Sequence, residues 1–137
     1  MYDETDRPAN VLIAGRIYTW RYCVRFHQTV HNVNFGMMLK TVDGLDVVSV
    51  NNQALGKACH EVVRGNVVEV RFRLRINLAP ATYFLNSGVM GVATNGDAQA
   101  QYLHRRVDVC AVKVVPPDQR AIHGLVYVEP QIEMRPV

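Results

Sequence analysis

Apolar and polar residues alternate with a period of two along most of this chain. The clearest run lies in residues 16–26, where one face carries the apolar residues Tyr18, Trp20, Tyr22, Val24 and Phe26. Because successive side chains of a β-strand point to opposite faces, this pattern predicts a half-buried strand with an aromatic core face. Similar alternation predicts three further strands, over residues 67–78, 82–90 and 104–115. We find no convincing helical spacing, and the short run 55–63 could form a helical turn or an edge segment.

Residues 34–52 predict a β-hairpin, because an Asp-Gly dipeptide at 43–44 separates two alternating apolar runs. Two loops are possible. A two-residue loop places Leu39 opposite Val48, whereas a three-residue loop with Gly44 in the left-handed conformation places Leu39 opposite Val47. We favour the three-residue loop because it keeps the charged residues of the hairpin on the face away from its apolar residues.

These strands predict an all-β fold, an antiparallel β-sandwich of immunoglobulin-like or jelly-roll type. We expect strand 16–26 to pair with 67–78, and the first hairpin strand to pair with 82–90 and 104–115 in the other sheet. Tyr83 follows a Pro break at the position of a tyrosine corner, whose hydroxyl bonds back to the turn. The nearly apolar stretch 107–115 predicts cover on both faces. A Gly-containing loop is expected at 95–97.

The length, net charge and cysteine count of the chain limit the class of protein to which it can belong. A chain of 137 residues suits one domain, and a net charge of +3 is too small for a general nucleic-acid binder. No apolar run approaches the roughly 18 residues of a membrane span. Three cysteines without Cys-x-x-Cys spacing favour a reduced, cytoplasmic compartment. We predict a poorly ordered linker at 1–10, a sandwich at 11–115 and a C-terminal extension at 116–137.

No motif predicts catalysis, a metal site or a cofactor. The chain lacks the Gly-x-x-x-x-Gly-Lys-Ser/Thr loop that binds nucleotide phosphates, and it lacks Gly-x-Ser-x-Gly. Its five histidines show no metal-ligand spacing. Asp43 and Asp46 flank a turn and are better explained as turn and surface residues than as a glycosidase pair. We therefore expect a domain that is not an enzyme.

Two outer faces are candidate binding surfaces, and the first is basic. If strands 16–26 and 67–78 are neighbours, five arginines share this face: Arg21, Arg25, Arg71, Arg73 and Arg75. Adjacent like charges are unfavourable unless they are solvated or paired, so this face meets either water or an anion. We favour the solvated interpretation.

The second face belongs to the other sheet and is rich in small and polar residues. By alternation it carries Asn34, Gly36, Met38, Phe84, Asn86 and Gly88. We expect His104, Arg105 or Arg106 at its rim, and we assign His104 and Arg106. Glycines on adjacent strands let a ligand approach the backbone, and a sugar needs a flat apolar patch beside planar polar groups. Alternatively, the glycines only let the sheet curve or let another segment pack there.

The same residues carry a family resemblance. FGMMLKTVDGLDVVSVNN, followed by EVRFRLRINLAPATYFLNSGV, resembles the carbohydrate-binding C-terminal domain of Wzt-type ATPases, the ATP-binding subunits of O-antigen exporters. The resemblance covers roughly residues 15–115. It departs from the family at Ala81, where many relatives have Gly, and in the final extension.

The resemblance implies non-catalytic recognition of the non-reducing end of O-antigen polysaccharide before export by an ABC transporter. The glycan would bind on the concave face of one sheet. The implied partners are the polysaccharide and, in a full-length protein, an ATPase domain and a transmembrane transporter subunit. The implied location is the cytoplasmic side of the inner membrane. The rival hypothesis is a structural or protein-interaction module whose glycines only bend the sheet.

The tail carries one more prediction. Residues 125–133 alternate like a strand after a Pro-Pro break, and an unpaired apolar strand would gain partners on a neighbouring subunit's sheet edge. We therefore expect a homodimer in which the C-terminal strands are exchanged.

Overall fold

A computed structural model describes residues 1–93, 99–118, 123–128 and 131–135. These residues form eight strands and no helix, which confirms the all-β prediction. The strands are β1 (Val11–Ile13), β2 (Ile17–Arg25), β3 (Val30–Thr41), β4 (Asp46–Asn51), β5 (Glu61–Val62), β6 (Val67–Arg75), β7 (Thr82–Ala93) and β8 (Gln101–Val115). The loop expected at 95–97 lies outside the described residues. No helix of the described part is long and apolar enough to cross a membrane.

The strands form one large sheet and one small sheet. The large sheet has the order β1-β8-β7-β3-β4, with β5 also paired to β3, and the small sheet contains β2 and β6. Strand β1 runs parallel to β8, so the large sheet is mixed rather than purely antiparallel. The predicted pairing of the first long strand with 67–78 is confirmed, because Trp20 lies opposite Phe72.

The predicted neighbours of the hairpin are only half right. Strand β3 does pair with β7, but β8 pairs with β7 and not with β3. The reason is that a strand has two edges. Strand β4 pairs with residues 36–40 along one edge of β3, and β7 pairs along the other edge.

The core lies between the two sheets. Its buried residues come from the predicted inward faces of both sheets, including Tyr18, Trp20, Phe72, Met37, Leu39, Tyr83, Leu85 and Val112. The hydroxyl of Tyr83 donates a hydrogen bond to the carbonyl oxygen of Ala79 at 2.8 Å. This contact confirms the predicted tyrosine corner, which ties the start of β7 to the turn before it.

The β3–β4 hairpin has the favoured three-residue loop. Gly44 has a φ of 86°, and the backbone N–H of Thr41 donates to the carbonyl oxygen of Leu45 at 2.9 Å. The register then shifts by one residue, so that Leu39 lies opposite Val48. The register we expected for this loop is therefore wrong beyond Lys40, because Val47 forms a β-bulge.

The first ten residues are packed, and the expectation of a poorly ordered segment is wrong. Met1 is only 6% exposed and lies in the core. The backbone of Tyr2 exchanges two hydrogen bonds with Thr19 of β2, at 2.8 and 2.9 Å. The polar composition of residues 1–10 gave no sign that Met1 is buried in the core or that Tyr2 pairs with β2.

The C-terminal part of β8 is covered on one face only, so the prediction of cover on both faces is wrong. Val112 and Val114 are buried, whereas Ala111 and Lys113 are exposed, and Val107 is 51% exposed. The stretch 107–115 looks apolar on both faces in the sequence because small and β-branched residues, such as Ala111 and Val107, also lie on the exposed face.

The tail contacts its own chain near residue 126. The N–H of Tyr127 donates to the carbonyl of Asn77, and the N–H of Ala79 donates to the carbonyl of Leu125, both at 3.0 Å. Tyr127 is buried in the core. In the described parts of 125–133, the predicted strand is limited to this bridge, and residues 129–130 lie outside the described part.

Candidate functional site

Two glycines lie directly opposite each other on the outer face of the large sheet. Gly36 of β3 pairs with Gly88 of β7, and this places both glycines on adjacent strands as predicted. A Cβ atom on Gly36 would lie 3.8 Å from the Gly88 carbonyl oxygen, and a Cβ on Gly88 would lie 3.5 Å from the Tyr102 ring. Neither contact is a clash, so the absent side chains leave open space over a floor of backbone.

This floor is the base of a depression that we call the glycine groove. Its lining residues are Asn34, Gly36, Met37, Met38, Ser49, Val50, Asn51, Ala54, Asn86, Ser87, Gly88, Met90, Tyr102 and Arg105. Its cavity volume is about 180 Å³ and it is open to solvent, so it is a shallow depression, smaller than the roughly 300–1,000 Å³ of enclosed small-molecule sites. Five residues of the predicted glycan face lie here: Asn34, Gly36, Met38, Asn86 and Gly88. The sixth residue from these strands, Phe84, pairs with Lys40 and Ala111 and lies outside the groove.

The turn after β4 forms one wall of the groove. The side chain of Asn52 accepts a hydrogen bond from the N–H of Phe35 at 2.6 Å and donates to the carbonyl of Lys57 at 2.7 Å. These bonds fix the turn beside β3, where Ala54 and Asn51 line the groove. The turn also supplies Gln53, whose Oε1 accepts from Asn34 Nδ2 at 3.3 Å.

The opposite wall depends on a bulge in β8. Met90 lies opposite Tyr102, and Val89 lies opposite His104, so Leu103 is an extra residue. The extra residue reverses the alternation and turns Tyr102 to the groove side of the sheet. A second bulge lies beside it, because Asn32 and Val33 of β3 together oppose Gly91.

The bulge also decides which side chains reach the rim. Arg105 lies opposite Gly88 and lines the groove. His104 and Arg106 line the cleft between the two sheets instead, so their predicted place at the rim is wrong. Tyr102 was missed, and its only sequence signal is an aromatic residue in a polar stretch before the last long strand.

Asn86 lines the groove but is already engaged. Its side chain is 5% exposed, and its Oδ1 accepts a hydrogen bond from the N–H of Asp108 at 2.5 Å. Asp108 has a φ of 53°, within an irregular part of β8, and its carboxylate pairs with Lys40 Nζ at 2.9 Å. Asn86 therefore holds β8 in place rather than presenting a free amide.

The groove floor is also held from the core side. Tyr22 of β2 reaches across the core, and its hydroxyl donates to the Gly36 carbonyl oxygen at 3.0 Å. Burial raises the pKa of Tyr22 well above the usual range of a phenol. The hydrogen bond from this hydroxyl fixes the position of the Gly36 carbonyl in the groove floor.

Comparison with known proteins now decides the family. The sequence model of the Wzt C-terminal domain matches residues 1–128. The chain belongs to the Wzt C-terminal domain family. A crystal structure of the C-terminal domain of Wzt has the same fold, with a TM-score of 0.76 and 24% identity over 91% of this chain and 74% of that chain. The search of curated proteins found no match. Membership in the family implies a role related to O-antigen export by an ABC transporter.

The basic face of this Wzt C-terminal domain is largely neutralised. Arg21 and Arg71 lie directly opposite each other, and Glu69 pairs with both, at 3.7 and 2.6 Å. Arg21 also pairs with Asp6 at 3.3 Å and lies over the Tyr2 ring at 3.8 Å. The packed N-terminal segment thus covers the centre of this face with acidic and aromatic side chains.

The remaining arginines of that face lie towards its ends. Arg73 pairs with Glu4 at 3.5 Å, and Arg75 donates to the carbonyl of Gly15 at 2.6 Å. Arg25 is exposed at the end of β2. Four of the five arginines therefore have partners, which favours the groove over this face as the candidate site.

Clusters that could hold a metal ion are absent from the described residues, because no three or more His, Cys, Asp or Glu side chains come together there. Cys23, Cys59 and Cys110 are free thiols.

Proposed function

We propose that this domain recognises the non-reducing end of an O-antigen polysaccharide in the glycine groove, without catalysis, for export by an ABC transporter. The observation that carries the proposal is the pair of opposed glycines, Gly36 and Gly88, beside an exposed aromatic ring. Tyr102 is 61% exposed although it lies on a groove wall. An exposed ring beside a backbone floor offers an apolar surface to the C–H face of a sugar.

The other groups of the groove suit hydroxyl recognition. Ser49 supplies a hydroxyl and Asn51 supplies the NH₂ group of an amide whose oxygen already accepts from the Ala54 N–H at 2.8 Å. Asn34 Oδ1 is a buried oxygen that accepts no hydrogen bond from any described residue. A buried unpaired acceptor is unfavourable, and a sugar hydroxyl could satisfy it after a small side-chain rotation. Among the residues that the structure describes, the lining contains no Asp or Glu, which is why we propose recognition rather than glycoside hydrolysis.

The test fills the groove without disturbing the fold. Neither Gly36 nor Gly88 has a positive φ or a close contact at its Cβ position, so Gly36→Leu and Gly88→Leu should fold and place a side chain over the floor. Both variants should lose binding to O-polysaccharide in calorimetry or glycan-array assays while they keep the wild-type melting temperature.

The matched control is Ala111→Leu. Ala111 of β8 is exposed on the same outer face of the large sheet as the groove, but it lies next to Phe84 and outside the groove. The Ala111→Leu variant should bind polysaccharide as the wild type does. If Gly88→Leu folds and binds the polysaccharide with unchanged affinity, the groove is not the glycan site, and the protein-interaction hypothesis becomes the better one.

We further propose that the domain works as a homodimer with exchanged tails, on the cytoplasmic side of the inner membrane, beside an ATPase domain and a transmembrane transporter subunit. Residues 125–127 satisfy backbone groups of 77–79 within one chain. The same contacts could be made by a partner's tail, since exchange of an identical element preserves them.

A cysteine pair distinguishes the two arrangements. Leu78 and Val126 face each other in the bridge, so Leu78→Cys with Val126→Cys should form a disulfide under mild oxidation. Exchanged tails would give a covalent dimer on a non-reducing gel, and a closed chain would give a covalent monomer. Sedimentation of the wild-type chain as a monomer at micromolar concentration would contradict the exchange.

A further inference from the structure

Arg105 is the one charged residue among the described residues that line the glycine groove. The residue directly opposite Arg105 on β7 is Gly88, which has no side chain that could pair with it. No carboxylate of a described residue forms an ion pair with it. Four of the five arginines of the basic face differ from Arg105, because each of the four has a carboxylate or carbonyl partner.

The guanidinium is nevertheless positioned. Its Cζ lies 5.7 Å from the centre of the Tyr102 ring, which is within the range of a cation–π contact. The ring therefore favours a conformation in which Arg105 stays at the groove wall. A sugar that stacks on Tyr102 would bring its substituents close to a positive charge that no described carboxylate pairs with.

We propose that Tyr102 and Arg105 form a subsite for a sugar residue with an anionic substituent, either a carboxylate or a phosphate. This inference rests on the proposed function of the groove. A planar guanidinium can donate two parallel hydrogen bonds to either anion, and such charge-assisted bonds are stronger than those to neutral hydroxyls. The amides and the glycine floor would hold the neutral part of the same residue.

The experiment compares charged and neutral sugars of one shape. Methyl glucuronide, glucose 6-phosphate and methyl glucoside are titrated into isotope-labelled protein, and the amide signals of Gly88 and Tyr102 are followed by NMR. The charged sugars should half-saturate these signals at about tenfold lower concentration than methyl glucoside, since one charge-assisted contact is gained. The stronger of the two charged sugars identifies the anion.

Two arginine variants make the test specific. Arg105→Gln should remove the preference for the charged sugars, and Arg105→Lys should restore part of it. Arg106→Gln is the matched control, because Arg106 is the next residue but lines the cleft between the sheets. It should keep the full preference.

The outcomes separate the two proposals. Equal affinity of the wild type for charged and neutral sugars, or a preference that survives in Arg105→Gln, would overturn the anionic subsite alone. If O-polysaccharide itself fails to shift the groove signals, the proposed function of the groove falls and the subsite with it.

Discussion

Replacement of Asn86 by Ala tests whether this amide is a structural element of β8. Asn86 is buried, and it accepts the backbone N–H of Asp108 at 2.5 Å while its Nδ2 lies 3.6 Å from the sulfur of Met38. Removal of the amide leaves the Asp108 N–H without this acceptor. This hydrogen bond is only partly buried, and loss of such a bond costs about 0.5–1.5 kcal/mol.

The expected loss is therefore about 1 kcal/mol, which lowers the melting temperature of a domain of this size by roughly 3–4 °C. Calorimetry measures this shift, and hydrogen exchange of the Asp108 amide reports the lost contact directly. The matched control is Asn34→Ala in the same groove. Its only described hydrogen bond is to the exposed Gln53, and its Oδ1 is unpaired, so its stability should change by less than about 0.5 kcal/mol.

An Asn86→Ala variant that melts within 1 °C of the wild type, with the Asp108 amide still protected, would refute this reasoning. That result would mean that β8 keeps its irregular course without the amide. It would also return Asn86 to the set of free amides that a ligand can use.

Three further predictions concern the core and the sheet. Trp20→Ala should destabilise the domain by about 3–5 kcal/mol, and wild-type Trp20 fluorescence should resist acrylamide quenching because this residue is buried. Gly91→Ala should cost about 1–3 kcal/mol in denaturant unfolding, since its Cβ would lie 2.5 Å from Val30 Cγ1, whereas Gly88→Ala should cost little. Burial raises the pKa of Tyr22 and Tyr83, so the unfolded chain loses these protons first. The contribution of these two phenols to stability should be constant up to about pH 9 and fall above about pH 10, as phenolate absorbance and thermal melts can show.

Sequence reasoning succeeded where the signal was local. The alternation in β2 and β6 predicted their pairing, and the Pro break before Tyr83 predicted the tyrosine corner. The Asp-Gly dipeptide predicted the loop that ends with Gly44. The tyrosine corner and the hairpin loop are each determined by a few neighbouring residues, and the pairing of β2 with β6 joins two strands that are each recognisable from their own alternation.

Prediction from the sequence failed where a distant contact or a single extra residue determines the structure. The bulge at Val47 looks like ordinary strand sequence, and so does Leu103. The partner of Asn86 lies 22 residues away in the chain, so its burial could not be anticipated. Met1 is buried because the sandwich leaves room for it beside β2, which composition alone does not reveal.

The bulge at Leu103 has a consequence for how such domains diverge. In a regular ladder Leu103 would lie opposite Met90, and an aliphatic side chain rather than Tyr102 would face the glycine floor. One and the same sequence of residues can thus present an aromatic or an aliphatic wall, depending on where the extra residue is accommodated. Ligand preference among relatives can therefore change through strand register, even when the aligned residues at the groove are identical.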